Sequence, residues 1–112
     1  MAERTSTDIV RYAPWPFPNG VFPAALGAVV QRTVLAGSMP ALLVVHMTDG
    51  SWAVGDHVND PNEPGACVVA HIWDAIERNS SIAALADLPP GHAGRRLRPG
   101  DPWIVETAVE DD

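Results

Sequence analysis

The apolar residues in the first half of the chain form short runs separated by turn-forming residues. Residues 29–35 are rich in β-branched side chains and end at Gly37, a pattern that predicts a strand. Residues 41–47 form a nearly continuous apolar run after Pro40. A run of strand length without polar alternation is typical of a central strand that is covered on both faces.

A turn signal separates this run from the next one. Asp49-Gly50 is a dipeptide that supplies the positive φ angles of a type I′ turn, and residues 51–55 follow it as a return strand. The sequence therefore predicts a β-hairpin with Asp49 and Gly50 at its tip.

The second half of the chain mixes strand-like and helix-like segments. Residues 66–70 predict a fourth strand, and the apolar positions of residues 71–78 fall on one helical stripe. Ser80 or Ser81 is placed to cap a short second helix over residues 82–87.

Two further segments, residues 94–97 and 103–105, predict edge strands. Strands followed by a helix and then by more strands define the α+β class. We therefore expect a single small domain with a mostly antiparallel sheet of four to six strands and one or two short helices.

The chain divides into three predicted segments. Residues 1–23 form an arm rich in proline and aromatic residues, residues 24–106 form the α+β domain, and residues 107–112 form an acidic tail. The alternating prolines around Trp15 and Phe17 exclude a helix there. We expect these two aromatic side chains to dock on the domain's own core, the alternative being a groove of a partner.

The cellular compartment is predicted from features that the sequence lacks. Residues 1–11 are polar where a secretory signal would be apolar, and no apolar run reaches the length of a membrane span. Cys67 is the one cysteine, so an internal disulfide is excluded, in keeping with a reducing compartment. The sequence therefore predicts a cytoplasmic protein without membrane contact, in which Cys67 is a buried, inert core thiol.

The net charge of the chain and its distribution indicate which classes of partner it can bind. Fourteen acidic residues against seven arginines give a net charge of −7, and residues 33–77 hold six acids and no basic residue. Nucleic acids and anionic membranes bind clustered Lys and Arg, so this balance disfavours both. It favours a basic protein partner, the alternative being that the charge serves only solubility.

Loops and turns carry most of these acids. Asp49 lies in the predicted hairpin turn, and Asp56, Asp60 and Glu63 lie in the polar loop that follows the hairpin. Loops on a rigid sheet are where binding residues concentrate. We therefore predict that these four residues bind the partner.

Metal chemistry has little support in the sequence. The four histidines lack the i, i+4 spacing that places two ligands on one helical face, and there is no second cysteine for a zinc cluster. No metal, cofactor or catalytic residue is therefore assigned. His46 and His57 flank the hairpin and could meet near Asp49 or Asp56, so an alternative is a metal-dependent hydrolase. The other interpretation of these histidines is structural.

Two further groups of side chains, three arginines and three tryptophans, have predicted roles. The arginines Arg95, Arg96 and Arg98 are suited either to binding phosphate or carboxylate or to protecting an edge strand from pairing. Three tryptophans lie in predicted strands or helices and are expected in the core, where each buried indole N–H requires an acceptor: Trp52, Trp73 and Trp103.

Several short motifs, taken in their order along the chain, resemble those of a known protein family. They cover residues 28–103, about two-thirds of the chain, and match a bacterial immunity-protein-like domain of unknown function, found among small proteins associated with polymorphic toxin systems. The resemblance implies an α+β fold and neutralisation of a toxin, with no catalytic residues. The matching motifs are Val29-Val30, Gly37-Ser38-Met39-Pro40, Asp49-Gly50-Ser51-Trp52, Asn59-Asp60-Pro61-Asn62, Ser81-Ile82-Ala83-Ala84-Leu85 and Leu88-Pro89-x-Gly91.

The predicted function is therefore a non-enzymatic protein-binding module that neutralises a toxin through an acidic surface. Two alternatives stay open at this point. One is a structural or accessory domain, including a homodimer formed through an exposed strand edge. The other is the metal-dependent hydrolase with His46 and His57.

Overall fold

The computed structural model describes residues 9–10 and 12–108 of the chain. They form one α+β domain with six strands and short helices. The strands are β1 (Gly27–Gln31), β2 (Leu43–His46), β3 (Trp52–Gly55), β4 (Cys67–His71), β5 (His92–Arg95) and β6 (Ile104–Thr107). The helices are α1 (Arg32–Ala36), α2 (Ile72–Arg78) and two 3-10 helices, Pro18–Gly20 and Ser80–Leu85.

All six strands belong to one sheet in the order β4-β1-β3-β2-β5-β6. Every neighbouring pair is antiparallel except β1 and β3, which run parallel. The predicted fold class, a mostly antiparallel sheet of four to six strands in a small α+β domain, is confirmed.

The strand predicted over residues 29–35 is wrong in its second half. β1 ends at Gln31, and residues 32–36 form helix α1, whose C-cap Gly37 has a φ of 80°. The β-branched side chains there favour a strand locally. In the folded chain, however, the Thr33 hydroxyl donates a hydrogen bond to the Asp56 carboxylate. Tertiary contacts of this kind override strand propensity.

The predicted hairpin joins β2 and β3, but its turn differs from the predicted type. Of the turn residues Thr48, Asp49 and Gly50, Gly50 alone has a positive φ, 96°. Its N–H donates to the carbonyl of Met47, and the Met47 N–H donates to Ser51. This is a three-residue loop with glycine in the left-handed position, which replaces the two-residue type I′ turn.

β2 is internal to the sheet, between β3 and β5, as predicted. Val44 on β2 is fully buried, whereas Leu43 and Val45 on its other face are only half-buried. The prediction that both faces are covered is therefore wrong, since one face of the sheet stays partly open.

Later elements follow the prediction with three corrections. α2 is a helix as expected, but the next helix is a 3-10 helix with Asn79 as its N-cap and no side-chain cap, so neither Ser80 nor Ser81 caps it. β5 spans His92–Arg95, two residues earlier than the predicted 94–97, and is not an edge strand, because it pairs with both β2 and β6. β6 includes Thr107, which the prediction had assigned to the acidic tail, and residues 109–112 of that tail lie outside the described residues.

The proline-rich arm docks on its own domain. Phe17 and Phe22 are buried against Trp52, with ring centroids 6.0 and 5.0 Å from the indole. The Trp15 indole N–H donates to the carbonyl of Ala86. Residues 1–8 and Arg11 of the predicted arm lie outside the described residues.

Of the other tryptophans, Trp52 is fully buried, and Trp73 and Trp103 pack against the core while partly exposed. Their indole N–H groups donate to backbone carbonyls of Phe22 and Ser81. In the part of the chain that the structure describes, no helix has the length and apolarity to cross a membrane.

Candidate binding groove on the open face of the sheet

The two faces of the sheet have different surroundings. One face carries Ala28, Val30, Val44 and Val54, which are buried in the core together with the apolar side of the helices. Side chains alternate between faces along a strand. The other face, which we call the open face, therefore carries Val29, Leu43, Val45, Ala53 and Val69, which are half-buried or exposed.

A groove of about 660 Å³ lies between the open face and the loop that follows β3. Its volume is in the range of ligand and side-chain binding pockets. Strand residues form an apolar floor, and loop residues form the opposite wall. The floor includes Val29, Leu43, Val45, Met47 and Ala53, and the wall includes His57, Val58, Asn59, Asp60, Pro61 and Asn62.

Asp56 holds the start of this loop. Its carboxylate is fully buried and accepts hydrogen bonds from the Thr33 hydroxyl at 2.6 Å, the Asn59 side-chain amide at 2.7 Å and the backbone N–H groups of Val58 and Asn59. Burial by itself raises the pKa of Asp56, but the hydrogen bonds from Asn59, Thr33 and the loop backbone outweigh it and lower the pKa to about 2. The carboxylate is therefore ionised and fully partnered.

Gln31, the last residue of β1, holds the loop from the other side. Its Oε1 accepts the Asp56 N–H at 2.6 Å, and its Nε2 donates to the Asn59 carbonyl at 3.2 Å. Gly55 makes room for this side chain, because a Cβ at position 55 would lie 2.7 Å from the Gln31 Oε1. Arg32 donates to the carbonyl of Gly65 at the far end of the loop. The groove wall is thus anchored at both ends.

The predicted partner-binding acids have different environments. Asp56, predicted to bind the partner, is instead buried and anchors the loop. Asp60 lines the groove, and Glu63 is exposed on the same loop. Asp49 is exposed in the β2–β3 turn, where its Oδ1 accepts the Ser51 N–H and hydroxyl. The structure therefore places Asp60 at the groove, Glu63 three residues further along the same loop, and Asp49 at the end of the adjacent hairpin.

The two histidines of the hydrolase alternative are not brought together. His46 is 1% exposed on the core face, where its ring stacks on Trp52 and its Nδ1 lies 2.7 Å from the Leu88 carbonyl oxygen. His57 is exposed on the groove wall with a φ of 61°. The sheet lies between them. Within residues 9–10 and 12–108, no group of three or more His, Cys, Asp or Glu is arranged to hold a metal ion.

Cys67 differs from the expectation of a core thiol, because it is half-buried and lines the groove. Its Sγ lies 3.5 Å from the Pro61 carbonyl oxygen. Burial, and to a lesser degree the charge of Asp56, raise the pKa of the Cys67 thiol. A raised pKa keeps the thiol protonated at neutral pH, which makes it a poor nucleophile.

The three arginines near the C-terminus do not form one anion site. Arg96 is buried, donates to the Ala41 carbonyl and stacks 4.0 Å from the Trp103 ring centroid. Arg95 binds Glu106 at 2.8 Å, and the exposed Arg98 lies near Asp101. Neither predicted role describes Arg96, which is a structural residue.

The groove floor is the part of the site that sequence reasoning missed. The signal was present in residues 41–47, because an apolar run without alternation supplies apolar side chains to both faces of a strand. That pattern does not tell whether the second face is covered by the same chain or left open for another molecule.

No protein-family model matches the chain, and neither a curated protein nor a solved structure is significantly similar to it.

Proposed function

We propose that this protein is a non-enzymatic protein-binding module that takes a basic partner protein into the groove of the open face. The observation that carries the proposal is an apolar groove whose wall carries the carboxylate of Asp60, on a loop that also exposes Glu63. Apolar side chains of the partner would contact the floor, and its basic side chains would approach Asp60 and Glu63.

The exposed apolar residues of the groove support a protein as the partner. Val58 on the groove wall is 68% exposed, and the half-buried floor residues continue the apolar surface. Contiguous exposed apolar surface with a polar rim is typical of interaction sites. A few residues near the centre of an interface supply most of its binding free energy.

Charge supports a basic partner. Residues 33–77, which supply β2, β3, β4 and the groove loop, contain six acids and no Arg or Lys. Arg32 touches the loop at Gly65, where its guanidinium binds a carbonyl. A surface of one sign accelerates encounter with a partner of the other sign, and salt weakens the effect as the Debye length shortens to about 8 Å at physiological strength.

The resemblance to immunity-protein-like domains suggests the kind of partner. A toxin that acts on nucleic acid carries a basic active-site surface, because it must bind phosphates. Occupation of that surface by an acidic module would block it. We propose toxin neutralisation as the biological role of the groove on this basis.

The first experiment locates the binding surface. A photo-crosslinking amino acid replaces Val58 in the full chain, and the matched control carries it at Leu97, which is 79% exposed and does not line the groove. We expect a defined crosslinked partner from position 58 and not from position 97. Equal crosslinking from both positions would argue against the groove as the binding surface.

The second experiment uses the partner identified in this way. It tests the contribution of the acidic residues on the groove loop to association. We expect its association rate to fall as salt rises, and the double variant Asp60→Asn, Glu63→Gln to slow association further with the fold intact. The control with the same charge change is Asp87→Asn, Asp101→Asn, outside residues 33–77. Association that responds to neither salt nor the groove variant would leave the acids as solubility residues and contradict the proposal.

A further inference from the structure

The outer edge of β4 has no strand beside it among the described residues, since β4 ends the sheet and pairs only with β1. We propose that this edge pairs in antiparallel fashion with β4 of a second copy of the chain. The inference does not rest on the proposed function, because it is argued from the backbone edge of β4, although β4 also borders the groove through Cys67.

The hydrogen bonds at the two ends of β4 show which backbone groups face outward. The Arg32 N–H donates to the Ala66 carbonyl, and the Ile72 N–H donates to the Leu26 carbonyl, both at 2.8 Å. Residues 66 and 72 therefore face the β1 side. Because the direction of the backbone groups alternates along a strand, the N–H and C=O of Cys67 and Val69 point away from β1.

The composition of β4 suits it to pairing. Natural edge strands are protected by charged side chains, proline or a bulge. Residues 65–73 contain no Asp, Glu, Lys, Arg or Pro, and β4 pairs with β1 through five consecutive residues without a bulge. Val68 and Val69 are β-branched, and Val69 is 47% exposed. Nothing in this strand opposes the approach of another edge.

Symmetry selects the register. Val69 is the midpoint of β4, so a two-fold axis at this residue pairs all five residues of both strands. Val69 then lies opposite Val69 of the partner subunit, and Val68 lies opposite Ala70 of the partner subunit. Neither strand brings an Asp, Glu, Lys or Arg side chain to the pairing, and the outward groups of Val69 exchange two hydrogen bonds across the axis.

The composition of β4 favours this edge over the other free edge, and its self-complementary register favours a second copy as the occupant. β6 carries Glu106 and is followed by three acids within residues 108–112, so two β6 edges would bring acidic segments together. Two chains of net charge −7 repel each other at most surfaces. β4 itself holds no Asp, Glu, Lys or Arg, and the two-fold register sets it against its own sequence, with the acids Glu63 and Asp74 outside the paired residues.

The consequence for the assembly is a continuous sheet across two copies. The open faces of both copies lie on the same side, because an antiparallel two-fold axis at Val69 passes perpendicular to the sheet. Cys67 belongs both to the groove lining and to the pairing strand, so the partner subunit's β4 would border the groove.

Sedimentation equilibrium of the full chain over a range of concentrations tests the association. We expect a monomer–dimer equilibrium that Val69→Lys weakens about tenfold or more, since two like charges then face each other across the axis. The matched control is Val105→Lys on β6, where the side chain is 51% exposed, and it should leave the equilibrium unchanged. A monomer at every concentration, or a dimer weakened by Val105→Lys and not by Val69→Lys, would overturn the proposal.

A disulfide tests the register without depending on the lysine variant. Paired residues that exchange hydrogen bonds have Cα atoms about 5.5 Å apart, a separation that a disulfide bridges. In a Cys67→Ser background, Val69→Cys should give a covalent dimer under mild oxidation, and Val105→Cys should not. Equal crosslinking of the two variants would show random collision and contradict the register.

Discussion

The imidazole of His46 lies nearly parallel to the indole of Trp52, with ring centroids 4.0 Å apart and an angle of 14° between the planes. The two residues are directly opposite each other on β2 and β3. Burial lowers the pKa of His46, and the carbonyls of Leu88 and Gly50 and the charge of Asp49 offset only part of that effect. His46 is therefore a neutral core residue at pH 7.

This environment predicts a loss of stability on mild acidification. The unfolded chain takes up a proton at His46 near pH 6.5, whereas the folded chain does so only at lower pH, so the free energy of unfolding falls as pH drops below about 6.5. Urea unfolding between pH 7.5 and 5 measures this slope. His46→Gln should reduce it, and an equal slope in the variant would contradict the assignment.

Asp56 should be the acid whose replacement costs most stability. Asp56→Asn removes an acceptor of the Thr33 hydroxyl and the Asn59 amide in a buried site, and we expect a loss of about 2 kcal/mol. Chemical denaturation measures the loss. The control Asp60→Asn, at an exposed position, should change stability by less than about 0.5 kcal/mol. Equal effects would show that the loop does not depend on Asp56.

The same carboxylate predicts a second loss of stability in acid. Its pKa of about 2 in the folded chain lies below the ordinary value of 3.8, so its contribution is complete above pH 3.8 and disappears as pH falls towards 2. The difference corresponds to about 2 kcal/mol. The free energies of unfolding of the wild type and Asp56→Asn should therefore converge below pH 2. A constant difference between the two proteins across this pH range would argue against the lowered pKa.

Gly50 should resist substitution because of its backbone conformation. Val at this position, with a φ of 96°, should destabilise the fold by about 1 kcal/mol or more, since β-branched residues avoid positive φ. Asn tolerates the left-handed region, so Gly50→Asn should cost less. Thermal or urea unfolding distinguishes them, and equal losses would point to a cause other than backbone strain.

Gly55 should be coupled to Gln31. A methyl group at position 55 meets the Gln31 Oε1, so Gly55→Ala should displace the side chain that holds the groove loop and cost about 1–3 kcal/mol. A double-mutant cycle measures the coupling. In a Gln31→Ala background the cost of Gly55→Ala should largely disappear, whereas additive costs would mean that the two residues act separately.

The parts of the fold that the sequence predicted are those that depend on neighbours along the chain. The β2–β3 hairpin and α2 follow from turn residues and helical periodicity within a few positions. Gly37 also carried a usable signal, because glycine after a helix is a common C-cap, and it marks the end of α1.

The residues that were assigned wrongly depend on distant partners. Asp56 looked like a solvent-exposed loop acid, yet it is buried by Thr33 and Gln31, which lie 23 and 25 positions away. Arg96 looked like part of a basic cluster, yet it packs between Ala41 and Trp103. No local pattern reports such pairings, since they are set by the order of strands in the sheet.

The position of β1 in the sheet leaves one of its edges unpaired during much of the chain's synthesis. Its two neighbours in the sheet, β3 and β4, both follow it along the chain. A nascent chain can close the β2–β3 hairpin early, because that contact is local, but the segment of β1 lacks one neighbour until Cys67–His71 have left the ribosome. Until then its valines have an unpaired strand edge beside them, a typical starting point for aggregation. The completion of this domain therefore waits for the second half of its translation.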